Sequence, residues 1–274
     1  KGFSVTAFDR YNSDSNFGWL ENSDKKKDIK FILGDIRDYD SVYKSLNEID
    51  IVIHLAALIG IPYSYSSPLA YIRTNIEGTY NILESSKNRN LDQVLITSTS
   101  ETYGTAQYVP IDENHPLVGQ SPYSATKIAA DQLSLSFFKS FSMPIKVVRP
   151  FNTYGPRQSR RAVIPTIISQ LSSGNKYLKL GDVSPTRDFT YVFDTANGFV
   201  EIMNCDEAYG EVVNIGSENE ISIENLALKI GQIMGKTFQI EHDSSRFRPK
   251  DSEVERLFCN SEKLKSLTSW KPST

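Results

Sequence analysis

Tyr123 and Lys127, in the stretch Ser121-Pro-Tyr-Ser-Ala-Thr-Lys127, stand four residues apart at the start of a helical pattern, just after the hydroxyl and carboxylate string Ser98-Thr99-Ser100-Glu101. Positions i and i+4 share one face of a helix, so this spacing brings the lysine ammonium toward the phenol. A free phenol titrates near ~10 and is a poor base at neutral pH, but a neighbouring cation pulls that value toward the working range. Tyr123 can then take a proton from a hydroxyl as hydride leaves the same carbon, which makes the pattern a redox site. The same spacing also suits an ordinary exposed helix start, so the surrounding elements decide.

Those elements alternate. Short β-branched runs at 3–9, 30–33, 51–54, 94–97 and 145–148 are separated by longer helical patterns, among them 69–87, with Ile72, Ile76, Tyr80 and Leu83 at helical spacing, and 123–141, with Ile128, Leu133 and Phe137. Strands that are apolar nearly throughout, separated by amphipathic helices, predict a doubly wound α/β fold with a parallel, Rossmann-like sheet covered on both faces. After about residue 150 the rhythm changes to short strands, loops and the helical patterns 162–172 and 223–234. We expect residues 1–150 to form a nucleotide-binding domain. Residues 151–274 would form a smaller α/β substrate-binding region interleaved with it, because no Pro- or Gly-rich linker marks a clean boundary.

Composition narrows the function classes. The chain has 274 residues, 39% apolar and 23% charged, and a net charge of −3, which offers no basic footprint for nucleic acid. Cys205 and Cys259 have neither disulfide-framework nor zinc-site spacing, and a reducing cytoplasm fits them best. His54, His115 and His242 are not spaced as ligands, so no metal is expected, and His54 inside an apolar strand reads as a core histidine. The most apolar run, 50–60, falls short of the roughly 18 residues that a membrane span needs, and no signal peptide is expected.

In a dinucleotide-binding domain a first strand, a glycine-rich turn and its helix precede an acidic ribose-binding residue by roughly 20 positions. Asp9 ends the first strand where that carboxylate belongs, yet no such glycine motif lies before it. The expectation is that a β-turn-α unit is missing ahead of residue 1. Asp9 also fits a plain strand-terminal turn residue.

In order and spacing, Gly34-Asp-Ile36, His54-Leu-Ala-Ala57, Thr74-Asn-Ile-Glu-Gly-Thr79, Ser98-Thr-Ser-Glu-Thr-Tyr-Gly104, Tyr123 with Lys127, Arg149-Pro-Phe-Asn-Thr-Tyr-Gly-Pro156, Arg187-Asp188 and Arg248-Pro249 resemble the extended short-chain dehydrogenase/reductase family. These are nucleotide-sugar epimerases, dehydratases and decarboxylases, and the resemblance covers nearly the whole chain. It implies that Asp35 accepts an adenine amino hydrogen bond, that Ile36 packs on the ring, and that Leu55, Ala56 and Ala57 let the backbone approach the dinucleotide. Asn75 would be structural. Thr99 would orient a sugar 4-hydroxyl beside Tyr123 and Lys127, with Glu101 as base for the neighbouring carbon. Arg187 and Arg248 would fork onto the diphosphate of a nucleotide sugar, with Asn152 donating to it or to the sugar. Arg157, Arg160 and Arg161 read as rim charges. NAD is the expected cofactor, because Asp9 would repel a 2′-phosphate. The helices 69–87 and 123–141 would build a homodimer interface.

Family members begin by oxidising the sugar at C4. A C4 ketone acidifies the C5 proton, so Glu101 would permit loss of water across C5 and C6. The stretches 98–116 and 151–165 look most like the 4,6-dehydratases of legionaminic-type nonulosonic acid synthesis, which act on a nucleotide-linked N-acetylglucosamine. Many hexose-nucleotide dehydratases carry Asp where Ser100 stands, and a serine is too weak an acid to protonate the departing hydroxyl unaided. UDP-glucuronate decarboxylases carry the same Ser-Thr-Ser-Glu string and are the nearest rival, followed by 4-epimerases and then by a non-catalytic nucleotide-sugar-binding relative.

Overall fold

A computed structural model describes residues 2–274. The chain begins with β1 (Val5–Arg10) and β2 (Ile29–Gly34), then α1 (Tyr39–Ser45), β3 (Ile51–His54), α2 (Ile61–Ser66), α3 (Pro68–Tyr71) and α4 (Gly78–Arg89). Next come β4 (Gln93–Thr97), α5 (Pro122–Phe141), β5 (Ile145–Pro150), β6 (Asn152–Tyr154), α6 (Val163–Ser172), β7 (Tyr177–Leu180) and β8 (Thr186–Tyr191). The remainder is α7 (Val192–Met203), β9 (Val212–Ile215), β10 (Glu220–Ser222), α8 (Ile223–Ile233), β11 (Gln239–His242), β12 (Arg256–Leu257) and α9 (Glu262–Leu267).

The main sheet runs β3-β4-β5-β9, parallel throughout. Successive strand side chains point to opposite faces, and here both faces are covered. Val94, Ile96, Ile145 and Val147 pack with Ile82, Leu83 and Phe137 on one side. Leu95, Val148, Val213 and Ile215 pack with Phe199, Ile202, Leu264 and Trp270 on the other. This explains strands apolar at every position, as a doubly wound sheet requires. Polar exceptions in these strands include fully buried Lys146 in the middle of β5, which donates to the Ile202 and Met203 carbonyls (both 3.0 Å) at the C-terminal end of α7, and Arg149 and Asn214, which join a polar network.

Residues 212–215, within the stretch 151–274, form the β9 edge of the main sheet, paired Val148↔Val213, and α7 and α9 pack beside it. β1 and β2 form a separate parallel pair, Phe8↔Ile32, that reaches the core through Phe8 and Ile36. Among the described residues β1 and β3 are not paired with each other. The capping region is built from β10-β8-β12, with β6 also on β8, and from the β7–β11 pair, whose Leu178 and Leu180 pack with Ile167 and Leu171 of α6 and Ala227 of α8. Between α3 and α4 the helix passes through a π-turn, Ile72–Glu77. Within that turn Asn75 accepts from Leu58 N (2.8 Å) and donates to Leu58 O (3.0 Å) and Thr126 Oγ1 (3.0 Å), the structural role expected of it.

A buried polar network joins β4, α5, β5 and β9. Asp131 Oδ2 accepts from Ser98 Oγ (2.6 Å) and from Arg149 Nε and Nη2 (3.0 and 2.9 Å). Arg149 Nη1 donates to Tyr103 Oη (3.1 Å), which donates to Asn214 Oδ1 (2.8 Å). The Arg149 and Asp131 side chains are 2% and 0% exposed, so neither charge has water to fall back on. Breaking such a pair leaves a bare buried charge, whereas replacing both partners by apolar groups can be neutral. Asp131→Asn should therefore destabilise the fold by about 3–5 kcal/mol, with the Asp131→Leu, Arg149→Met double variant recovering much of the loss, as read from urea unfolding midpoints.

Candidate active site

The site is organised by the first turn of α5. Ser121 caps the helix, its Oγ accepting from Ser124 N (3.1 Å) while Ser124 Oγ accepts from Ser121 N (3.0 Å), and Pro122 supplies the fixed φ of the first turn. Tyr123 is thereby set against Tyr71, edge to face with ring centroids 6.3 Å apart, and against Ile61. Lys127, on the same face, donates from Nζ to the Thr97 carbonyl (2.6 Å) at the end of β4. Thr99 then caps a short 3₁₀ turn, Ser100–Tyr103, accepting from Glu101 N (3.2 Å). The hydroxyl run does serve as a turn cap, yet Thr99 as an acceptor keeps its own proton free to donate toward the phenol or a ligand.

Burial holds the Tyr123 phenol well above its ordinary value, and the Glu101, Asp131 and Tyr71 groups add to that, while the Thr99 hydroxyl works the other way. The spacing predicted a phenol lowered by Lys127. In this chain desolvation wins, and the lysine's own pKa is also lowered by burial, with Asp131 opposing. Tyr123 is thus a neutral acid here. His54, behind Lys127, is pushed down to about 3 by burial and the Lys127 charge, and sits 3.1 Å from Thr79 Oγ1 as a neutral core residue.

Opposite the phenol lie the expected substrate groups. Glu101 Oε2 is 3.8 Å from Arg248 Nη1. Arg187, 5% exposed, donates to Thr186 O (2.9 Å), and its charge feels Glu101, Glu253 and Arg248. Glu253, not identified from the sequence, lies 3.3 Å from Arg187 and 3.5 Å from Arg248. An acid in a loop carries no periodic or motif signal, and its position beside two arginines arises only in three dimensions. Asn152 Oδ1, Thr97 Oγ1 and Arg248 Nη1 are buried without hydrogen-bond partners, leaving polar capacity for a polar ligand. Ser100 is 2% exposed in the 3₁₀ turn. Arg161 is exposed, as a rim charge would be, but lies close enough to Tyr71 for its charge to act on that phenol, both approaching Gly60.

The residues expected around a dinucleotide gather at the carboxyl ends of β1, β2 and β3, where doubly wound sheets bind ligands. Asp9 is exposed near the end of β1, and Leu55 and Ala56 are exposed beyond β3. Asp35 is held ionised by Arg37, which donates to both of its oxygens from Nε (2.9 and 3.1 Å). Ile36 differs from expectation. It packs in the core, so close to Gly78 that a Cβ there would lie 2.6 Å from Ile36 Cδ1, and it offers little open surface to a ring. Among the described residues no cluster of His, Cys, Asp or Glu could hold a metal ion, and no helix is long and apolar enough to cross a membrane.

Residues 1–274 match the family described as GDP-mannose 4,6 dehydratase. The chain is 33% identical to a dTDP-D-glucose 4,6-dehydratase of Dictyostelium discoideum over 84% of this chain, but it spans only 56% of that relative's length. It is 32% identical to a putative UDP-glucose 4-epimerase of Methanocaldococcus jannaschii, covering 89% of this chain and 79% of that one. The fold superposes on the UDP-glucuronic acid 4-epimerase of Bacillus cereus, solved with UDP-glucuronic acid and NAD, with a TM-score of 0.87 at 29% identity, covering 98% of this chain and 86% of that one. With Tyr123 and Lys127 on one helix face, Thr99 and Glu101 before them and this likeness over its full length, the chain belongs to the GDP-mannose 4,6 dehydratase family of extended short-chain dehydrogenase/reductase nucleotide-sugar dehydratases and epimerases.

Proposed function

We propose that the protein is an NAD-dependent nucleotide-sugar 4,6-dehydratase acting on a nucleotide-linked N-acetylglucosamine. The observation that carries this reading is a carboxylate, Glu101, on the turn capped by Thr99 and 3.8 Å from a guanidinium fit to hold a diphosphate, Arg248. Asp9, Asp35, Leu55, Ala56, Ala57 and Lys127 would hold the dinucleotide. NAD held there would supply the hydride acceptor and donor that the C4 oxidation and C6 reduction require.

The chain's own residues handle the protons. Tyr123 takes the 4-hydroxyl proton, for which its phenol must first ionise. Lys127, anchored on the Thr97 carbonyl, together with the positive charge that an oxidised nicotinamide would bring, would favour the phenolate against the desolvation that opposes it. Thr99 directs the 4-hydroxyl. Glu101 removes the C5 proton and, because Ser100 is too weak an acid, delivers it to the departing 6-hydroxyl, which leaves as water; when hydride returns to C6, C5 regains a proton from solvent through Glu101, and Tyr123 releases the 4-hydroxyl proton to solvent. Arg187, Arg248 and Asn152 hold the diphosphate end.

A second reading has one specific observation behind it. The exposed Arg161 carries a positive charge near the hydroxyl of Tyr71, whose ring packs edge-on to Tyr123, and a sugar C6 carboxylate within its reach would favour a uronic-acid substrate and hence a decarboxylase or 4-epimerase outcome. We also infer a homodimer formed through the exposed stripe Ile72, Tyr80 and Phe141, and a reducing cytoplasm, consistent with the free thiols Cys205 and Cys259.

With NAD and a panel of UDP-, GDP- and dTDP-linked hexoses, N-acetylhexosamines and uronic acids, NMR should reveal a new C6 methyl doublet. Loss of carbon dioxide or an altered H4 coupling would instead support the rivals. Glu101→Gln should reduce elimination by roughly 10²–10⁴-fold while sparing C4 oxidation, whereas Tyr123→Phe should reduce both. Arg161→Leu should leave turnover of an N-acetylhexosamine nucleotide within about threefold of the parent but weaken a uronate at least tenfold in kcat/KM, because only the latter loses a charge-assisted hydrogen bond. Tyr80→Arg should shift the sedimentation coefficient from dimer to monomer at micromolar concentration.

A further inference from the structure

Two arginines that face one another need an anion between them, and in this chain a side chain supplies it. Glu253 Oε1 stands 3.3 Å from Arg187 Nη2 and 3.5 Å from Arg248 Nη1, and the two guanidiniums otherwise oppose each other's charge. The backbone that carries Glu253 is fixed. Its carbonyl accepts from Gln120 Nε2 (3.1 Å) and Thr105 Oγ1 (3.4 Å), and the preceding Ser252 is bonded to the Gln120 carbonyl and to Tyr65 Oη (2.6 Å). The segment 251–253 is thus tied to the residues leading into α5, and the carboxylate is aimed at the arginine pair by construction. Arg248 Nη1, although near both Glu101 and Glu253, makes no hydrogen bond and is buried, which leaves a donor available to a better acceptor.

We infer that Glu253 is a positioning residue that stands in for the ligand's diphosphate, holding Arg187 and Arg248 apart at the spacing of a dianion and yielding to it on binding. Two arginines against Glu101 and Glu253 leave the four groups formally neutral, so an incoming diphosphate competes with an internal carboxylate already in place. Affinity is held down and product can leave. When the diphosphate claims Arg248, the 3.8 Å contact with Glu101 is released and that carboxylate turns to the sugar, which links occupation of the phosphate site to readiness of the base.

The inference rests on the proposed diphosphate role of the arginines, and calorimetry with UDP and GDP on the whole chain separates the two. Glu253→Gln, which removes the charge and keeps the shape, should bind the nucleoside diphosphates about tenfold more tightly, since one competing charge is gone. A merely structural glutamate predicts the opposite sign, so unchanged or weaker binding overturns the inference. Should the Gln variant not fold, Glu253→Asp draws the carboxylate back from both guanidiniums and should tighten binding by a smaller factor, with parental or weaker affinity again overturning it. Arg248→Leu tests the underlying site: if UDP and GDP bind it as they bind the parent, the diphosphate assignment itself fails, whatever Glu253 does.

Discussion

Three strands and the active-site helix meet at one carboxylate. Asp131 lies on α5 one turn beyond Lys127 and is fully buried; it receives Ser98 from the end of β4 and Arg149 from β5, and Arg149 passes the connection through Tyr103 to Asn214 of β9. The segment that turns from β4 into Thr99 and Glu101, the helix that carries Tyr123 and Lys127, and the strand that leads into Asn152 are therefore fixed relative to one another by a single set of charge-assisted bonds. A sheet held only by apolar packing would tolerate small sliding of the helix across it. Directional bonds from buried charges do not, and a site that must bring a phenol, a hydroxyl and a carboxylate to adjacent carbons needs that rigidity.

Burial sets the electrostatics of the Tyr123 and Lys127 pair. Burial dominates both Tyr123 and Lys127, raising one and lowering the other, and thus favours the neutral form of each. The Y-x-x-x-K pattern indicates which groups meet, but it contains no information about how deeply they are buried, so the direction of the phenol's shift could not be read from spacing. The same limit applies to Ile36, whose neighbour Gly78 is distant in sequence and whose place in the core follows from tertiary packing.

What was legible in the residues is what periodicity and local chemistry encode. The apolar runs after residues 93 and 144 became buried parallel strands, the Ser121-Pro122 start became a capped helix, and the hydroxyl run after β4 became a capped turn at the sheet's carboxyl edge. Features that depend on distant partners were not legible. Residues 212–215 look like any short strand and reveal their place only through pairing with β5. Glu253 and Arg161 look like solvated charges until the fold brings them beside Arg187 and Tyr71.

The π-turn at Ile72–Glu77 carries its own consequence. One additional residue in a turn rotates everything before it by about 100° relative to everything after it. Asn75 uses that wider turn to grip both backbone groups of Leu58, so Tyr71 on the earlier half and Thr79 on the later half point to different targets, the catalytic phenol and the core histidine. Were the helix regular, only one of those two alignments would survive, and the wall behind the phenol would turn away from it.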